Sequence, residues 1–314
     1  MIPTVGILMA TYNGEPFLRD QIGSLLKQTY AEWKLFVRDD DSQDGTADLV
    51  EEYARTYPER IEVIPNTEGR LGADQNFSRL LEATEAKYFM FCDQDDVWLP
   101  RKIESTLQCM RKLEASSQPG VPLLVYTDLK AVDRDLRVLD DSYWHFGYHN
   151  PDYGKRLNRL LVQNMVAGCT IMINRPLKDL VTPIPDDVAQ YDWWTALVAV
   201  CLGRIDYVSE PTILYRLHGG NTIGAIPWGI KYVIGKLLNF FERESLLRSL
   251  QASQEQAATL LAHHGPRLGP AEREILEAYA SIGQQRFLAR RLRLLRYGFF
   301  KTGWVRNAGL LARL

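Results

Sequence analysis

From residue 4 to residue 92 the sequence switches repeatedly between two hydrophobic periods, and this alternation limits the fold more than any other feature. TVGILMA (4–10) is a short apolar run that stops at the turn-prone YNGEP. Residues 15–30 then space Phe17, Ile22, Leu25 and Leu26 along one helical face. WKLFVRDD reads as a second strand, DSQDGTADLVEEYARTY as a helix capped by Ser42 or Asp44, and IEVIPN as a third strand. A helix around 72–86 and a strand over 87–92 complete the series. Strands alternating with helices predict an α/β fold: a parallel sheet with helices on both faces and ligands at the carboxyl ends of its strands.

The second half is more mixed. PLLVYTDLKAVD and CTIMINR read as strands, YDWWTALVAVCLG as an apolar helix, and RIDYVSEPTILYRLHGG as a strand pair ending in a polar loop. Beyond about residue 225 the pattern is helical as far as a breaker at GPRLGP, and AEREILEAYASIGQQRFLARRLRLLRYGFF then reads as a further helix. Residues 285–314 carry Arg286, Arg290, Arg291, Arg293, Arg296, Lys301, Arg306 and Arg313 and no acidic residue, a basic island on a chain of net charge -2. That overall charge argues against a general nucleic-acid binder, which needs a strongly basic face to neutralise phosphates. The four cysteines show neither zinc-site spacing nor disulfide density, so a reducing compartment is expected. MIPTVGILMATYNG lacks a basic n-region, and its apolar run breaks too early for a secretory signal or a membrane span; the expectation is a cytoplasmic protein.

Carboxylates gather where the strands end. Asp39 and Asp40 follow the second strand, and Asp93, Asp95 and Asp96 follow YFMFC. Aspartates this close raise one another's pKa unless a cation or solvent relieves them, and hard oxygen ligands suit Mg²⁺ or Mn²⁺. The competing explanation is that Asp93–Asp96 cap a helix starting near Leu99, with Pro100 in its first turn. In YDWW, Asp192 is either the N-cap of an apolar helix or a carboxylate desolvated by tryptophans and fit for general-base work. The pair His263-His264 reads as exposed and without nearby carboxylates, which argues against a metal site there.

TYNGEPFL (11–18), DDDSQDGT (39–46), LGADQNF (71–77), DQDDVW (93–98), GCTIMINR (168–175), YDWW (191–194) and YRLHGGNTIG (215–224) together resemble glycosyltransferase family 2. These are inverting nucleotide-sugar enzymes with a GT-A fold, and the likeness is to the branch of bacterial rhamnosyltransferases and related polysaccharide-assembly enzymes. The resemblance implies a GT-A domain over 1–224 and a helical, basic extension over 225–314. It implies that Thr11 and Tyr12 help seat the nucleoside, and that Asp39 accepts from N3–H of uracil or thymine. Asn13, Glu15, Asp40 and Gln94 join that donor site, while Arg70 faces either donor phosphates or solvent. Asp93 would serve ribose or the metal, and Asp95 the metal bridging the diphosphate. Asp192 would be the base, with Gly168, Cys169, Trp193 and Trp194 on the acceptor side. His218 would complete the metal shell or touch the diphosphate, supported by Arg216 and Asn221, in a loop whose Gly219-Gly220 suits a lid. Asp41 stands where the family usually has Gly, and Tyr191 where relatives often have His.

The expected activity is metal-dependent inverting transfer of a sugar to a saccharide hydroxyl, with Mn²⁺ or Mg²⁺. Rhamnose from dTDP-rhamnose is the first choice of donor, a UDP-hexose or UDP-N-acetylhexosamine the second, and the acceptor a saccharide or lipid-linked glycan. The alternatives are a nucleotidyltransferase or a catalytically silent carbohydrate-binding relative; TYNGEPFL lacks the Gly-rich basic loop of the former. The tail 285–314 either lies on an anionic membrane surface or packs its apolar side on the catalytic domain or a partner.

Overall fold

The computed structural model describes residues 2–218 and 243–313. Gly219, Gly220 and Asn221, and the expected boundary between 224 and 225, lie outside the described residues. One mixed sheet organises the chain: β1 (Val5–Thr11), β2 (Trp33–Asp39), β3 (Ile61–Val63), β4 (Tyr88–Cys92), β5 (Val97–Trp98), β6 (Leu123–Val132), β7 (Val138–Asp140), β8 (Met172–Asn174) and β9 (Arg204–Arg216). Its order is β3-β2-β1-β4-β8-β6-β9-β5, with β7 beside β6.

The expected parallel sheet holds for β3, β2, β1 and β4. Beyond β4 it fails, because β8 runs antiparallel to both β4 and β6. The predicted strand pair over 204–216 is also corrected: it is the single strand β9, and Pro211 sits at a register irregularity against Asp128 of β6. A proline has no N–H for the ladder, so a bulge lets the strand pass through a sequence that resembles a turn.

Alternation along the central strands explains why both sheet faces are covered. Val5, Ile7 and Met9 of β1 join Tyr88, Met90 and Cys92 of β4 in one apolar cluster. Leu8, Phe89 and Phe91 point to the other. The chain runs outward from β1 to β2 and β3, then returns to β4 on the other side of β1. That reversal is the switch point at which α/β sheets open a crevice beyond their strand ends.

The C-terminal part forms helices Arg243–His264, Pro270–Ala280, Phe287–Tyr297 and Trp304–Arg313. The helix expected to run on from Ala271 breaks into two over 281–286, where a short turn, Ile282–Gln284, includes Gly283. Gly298, at φ 66°, then ends Phe287–Tyr297 in the left-handed conformation that glycine adopts without steric cost. Leu250, Leu260, Leu276, Leu294, Phe299 and Leu310 share one core cluster with helix Tyr191–Leu202. Burying such side chains is worth about 2 kcal/mol each, so their sum rivals the whole stability of an ordinary domain. His264 departs from expectation: it is buried against Trp194, with ring centroids 5.7 Å apart.

Candidate active site

The loops after β1, β2 and β4 open into a cavity of about 880 Å³, closed on its far side by residues 164–169 and by the start of helix Tyr191–Leu202. Thr11, Tyr12, Asn13, Asp40, Arg70, Asp93, Gln94, Asp95, Gly168, Cys169, Asp192 and His218 all line it. Of the remaining expected residues, Glu15, Asp39, Trp193, Trp194 and Arg216 do not.

The end of the cavity at Thr11 and Tyr12, where a nucleoside is expected, is braced between neighbouring strand ends. Gln94 accepts from the Tyr12 amide at 2.9 Å and donates to the Tyr12 carbonyl at 2.8 Å, tying the β4 loop to the β1 loop. The Arg70 guanidinium lies 3.9 Å from the Tyr12 ring centroid. Asp39 instead accepts from Thr11 Oγ1 at 2.8 Å and from the amide and hydroxyl of Ser42 at 2.8 and 2.6 Å. Its carboxylate thus also shapes the loop; of the two expected caps, Ser42 bonds Asp39 instead, while Asp44 accepts from the Thr46 amide at 3.0 Å beside the N-cap position Gly45. Asp40 accepts from the Leu71 and Gly72 amides at 2.8 and 2.7 Å and fixes the loop that carries Arg70. Glu15 accepts from the Gly45 amide at 3.0 Å, so its work is also in the loop. Asp41 has φ 67°, in the left-handed region, which explains why glycine suits that position and why aspartate is among the few tolerated replacements.

Where the diphosphate is expected, Asp95 Oδ2 and His218 Nε2 lie 2.7 Å apart, and the His218 ring stacks on Phe17 at 4.6 Å. Asp93 lies in the same wall, and burial, then Asp95 and Asp192, push its carboxyl up to about 7. The Asp95 carboxylate beside the His218 imidazole offers an oxygen and a nitrogen donor to a divalent cation such as Mn²⁺. Asp93, Asp96 and Cys169 also bring ligand atoms within 4.8 Å of one another. That group is the poorer choice for a hard cation, since it includes a thiol and Asp96 is fully buried. Asp96 does not cap the next helix, as expected, but accepts from the Arg216 amide at 3.1 Å. Arg216 likewise turns away from the cavity, donating to Asp20 at 2.9 Å and to the Asp95 carbonyl at 2.9 Å.

Across the cavity, Asp192 is 7% exposed, and burial pushes its carboxyl up to about 7. Both oxygens are held: Asn164 Nδ2 donates to Oδ1 and the Gly168 amide to Oδ2, each at 3.0 Å, and the Trp193 amide donates to Oδ1 at 2.5 Å. The N-cap position of its helix is Gln190, and the Tyr191 amide donates instead to Asp74 at 2.7 Å. Gly168 is required by close approach, since a Cβ there would come 2.0 Å from Tyr191 Oη. Trp193 and Trp194 do not form an aromatic wall on the cavity: their indoles donate to the Leu160 and Val181 carbonyls within the core. The aromatic lining comes from Tyr12, Phe17, Phe77, Tyr143, Tyr191 and Tyr215.

Asn164 and Asp74 are the site residues that sequence reasoning missed. Asp74 was visible inside LGADQNF, and Asn164 precedes Gly168 by one helical turn's spacing in NMVAGC, though neither pattern alone implies a carboxylate partner. Asn164→Ala removes a hydrogen bond that favours the ionised form of Asp192, so the pKa of Asp192 should rise further. A hydrogen bond to a charged group is worth ~1.5–3 kcal/mol, which predicts an acidic limb of the kcat/KM profile displaced upward by about one pH unit. An unmoved limb would show that Asn164 has only a packing role.

A family model for glycosyl transferase family 2 matches residues 6–180, more than half of the chain. The chain belongs to this family. This glycosyltransferase is 28% identical over 257 residues to the dTDP-rhamnosyl transferase RfbG of Shigella flexneri, covering 78% of this chain and 84% of that one. It is 31% identical over 228 residues to the putative teichuronic acid biosynthesis glycosyltransferase TuaG of Bacillus subtilis, covering 72% and 83%. Among solved structures it resembles the mannosyltransferase PcManGT from Pyrobaculum calidifontis in complex with GDP-Man and Mn²⁺, with TM-score 0.56, 20% identity, and coverage of 99% of this chain and 79% of that one. That likeness is one of fold, and the sheet with its flanking helices is the nucleotide-sugar-binding GT-A architecture.

Proposed function

We propose that this glycosyltransferase inverts the anomeric centre of a dTDP- or UDP-activated sugar, with Asp192 as base and a divalent cation at the diphosphate. The observation that carries the proposal is Asp192 itself, a buried carboxyl held at about 7 by burial in the cavity that also holds Asp95 and His218. The acceptor hydroxyl gives its proton to an Asp192 oxygen as its own oxygen bonds to the anomeric carbon. The bond from that carbon to the diphosphate breaks, and the electron pair leaves on the phosphate oxygen. Asn164 and the Gly168 amide fix the carboxylate so that its remaining lone pairs face the incoming hydroxyl. Asp95, His218 and Asp93 would hold the cation, which when bound offsets charge on the departing diphosphate. Tyr12, Gln94 and Arg70 would seat the nucleoside.

Rhamnose from dTDP-rhamnose is the first donor, supported by the likeness to RfbG over most of both chains, and a UDP-hexose or UDP-N-acetylhexosamine is the second. The acceptor is a hydroxyl of a saccharide, free or lipid-linked, in polysaccharide assembly. We take 1–224 as the catalytic unit and 225–314 as its helical extension. The four cysteines are free thiols, which supports a reducing, cytoplasmic setting. The deciding experiment measures nucleoside diphosphate release across a nucleotide-sugar panel, with Mn²⁺ and with chelator, in the presence of saccharide acceptors. Release is expected from dTDP-rhamnose first. Transfer of nucleotide rather than sugar would sink the proposal, as would no turnover with any donor.

A further inference from the structure

We propose that the outward face of helix Phe287–Tyr297, together with Trp304 of the next helix, docks on an anionic lipid bilayer. Leu288, Leu292 and Leu295 follow one another at intervals of four and three, so they form a single stripe on the helix. They are 71%, 67% and 58% exposed; Phe287 beside them is 62% exposed and Trp304 80%. The opposite side of the helix meets the protein. Arg293 donates to the Ala278 carbonyl and to Ser281 Oγ, and Leu294 is buried in the core. An arginine thus helps hold the helix to the protein beside Leu294, while the other three leucines face water. A soluble surface gains nothing from that arrangement, and an interfacial helix requires it.

Charge selects the occupant. Arg286 and Arg296 are exposed at the edges of the stripe, and Arg291 lies 3.3 Å from the Phe287 ring centroid. No acidic residue occurs over 285–314, and the acid that faces this helix from its neighbour is Glu274, paired with Arg296 at 3.7 Å. A second copy meeting the same face across a two-fold axis would set these arginines against their own copies. An anionic bilayer supplies phosphate groups for the arginines and a headgroup layer for Trp304, Phe287 and the leucines. The helix would lie in the plane of the interface, since among the described residues no helix is long and apolar enough to cross a membrane.

The surface is tied directly to the cavity wall. Arg306 donates to the Gly147 carbonyl at 2.9 Å, and Gln163 accepts from the Thr302 amide at 3.0 Å. His149, two residues on from Gly147, and Asn164, next after Gln163, line the cavity. If the site is the glycosyltransferase centre proposed above, docking holds its acceptor side at the lipid interface, where a lipid-carried saccharide presents its hydroxyls.

Truncation is the wrong test, because these helices share the core. The test is flotation of the full chain with phosphatidylglycerol-containing vesicles and with pure phosphatidylcholine vesicles, for wild type and for the combined variant Leu288→Gln, Leu292→Gln, Leu295→Gln. Wild type should float only with the anionic vesicles and release with salt, and the variant should bind at least about tenfold less. Thermal unfolding and turnover with a soluble saccharide acceptor should be unchanged, since the altered side chains are exposed. Equal flotation of variant and wild type, or no flotation of wild type, overturns the proposal. So does a wild-type dimer in solution that the variant converts to monomer, which would make a second copy the occupant. Binding to vesicles without turnover on any donor would instead overturn the assignment of the site and leave the docking surface standing.

Discussion

Asp192→Ala is expected to lower sugar transfer by about a thousandfold while leaving donor affinity within about twofold of wild type, in the range that general acid–base groups contribute. The two readouts separate because Asp192 is held by Asn164 and Gly168, whereas the diphosphate is proposed to meet Asp95 and His218. The pH profile adds a second check. Burial raises this carboxyl to about 7, so the competent, ionised base is scarce below that pH and dominant above it. Wild-type kcat/KM should therefore rise through about pH 7 and level off on the alkaline side. Asp192→Asn keeps the size of the side chain and should lose nearly as much activity, which guards against a folding artefact in the alanine variant. Retention of more than about a tenth of wild-type turnover in both variants would remove Asp192 from the role of base, since an acid–base group is worth at least about a hundredfold.

How much of this could be read without coordinates depends on how local the signal is. The strands β1, β2 and β4 and the positions of their terminal aspartates were legible because apolar runs flanked by turn residues are short-range patterns. The antiparallel β8 was not, because its direction is fixed by pairing with β4 and β6, far away in sequence. The division of labour among the aspartates was hidden for a similar reason. Asp39, Asp40 and Asp96 carry the same side chain as Asp93 and Asp95, but the amides and hydroxyls they bind come from other loops. Three of the five also brace the loops around the cavity, and Asp40 among them lines it.

Trp193 and Trp194 illustrate the limit from the other side. In sequence, tryptophans beside a carboxylate suggest a sugar platform, whereas in the fold their indoles bond core carbonyls, and Asp192 is raised by its own burial. Tyr191 before Asp192 was visible as a departure, but the hydrogen bond from Asn164 to the carboxylate was not. Asn164 lies in a separate loop, and the proximity of Gly168 to Tyr191 that brings this loop to the carboxylate exists only in three dimensions.

Asp95→Ala is expected to have the other large effect, and of a different kind. In the proposed mechanism a divalent cation offsets several kcal/mol of developing charge on the leaving group, so loss of the carboxylate proposed to hold it should cost about a thousandfold in turnover and raise the Mn²⁺ concentration needed for half-maximal rate. His218→Ala should cost less, about ten- to a hundredfold, since Asp95 and Asp93 remain. The pH dependence has a definite sign. Asp93 is pushed up to about 7 by burial and then by Asp95 and Asp192, so below that pH a proton competes with the cation, and above it the competition ends. Apparent metal affinity should therefore rise with pH through about 7. Wild-type activity unaffected by chelator would remove the cation from the reaction. Asp192 would keep its place even then, because a base that takes a proton on the acceptor face needs no metal on the donor face.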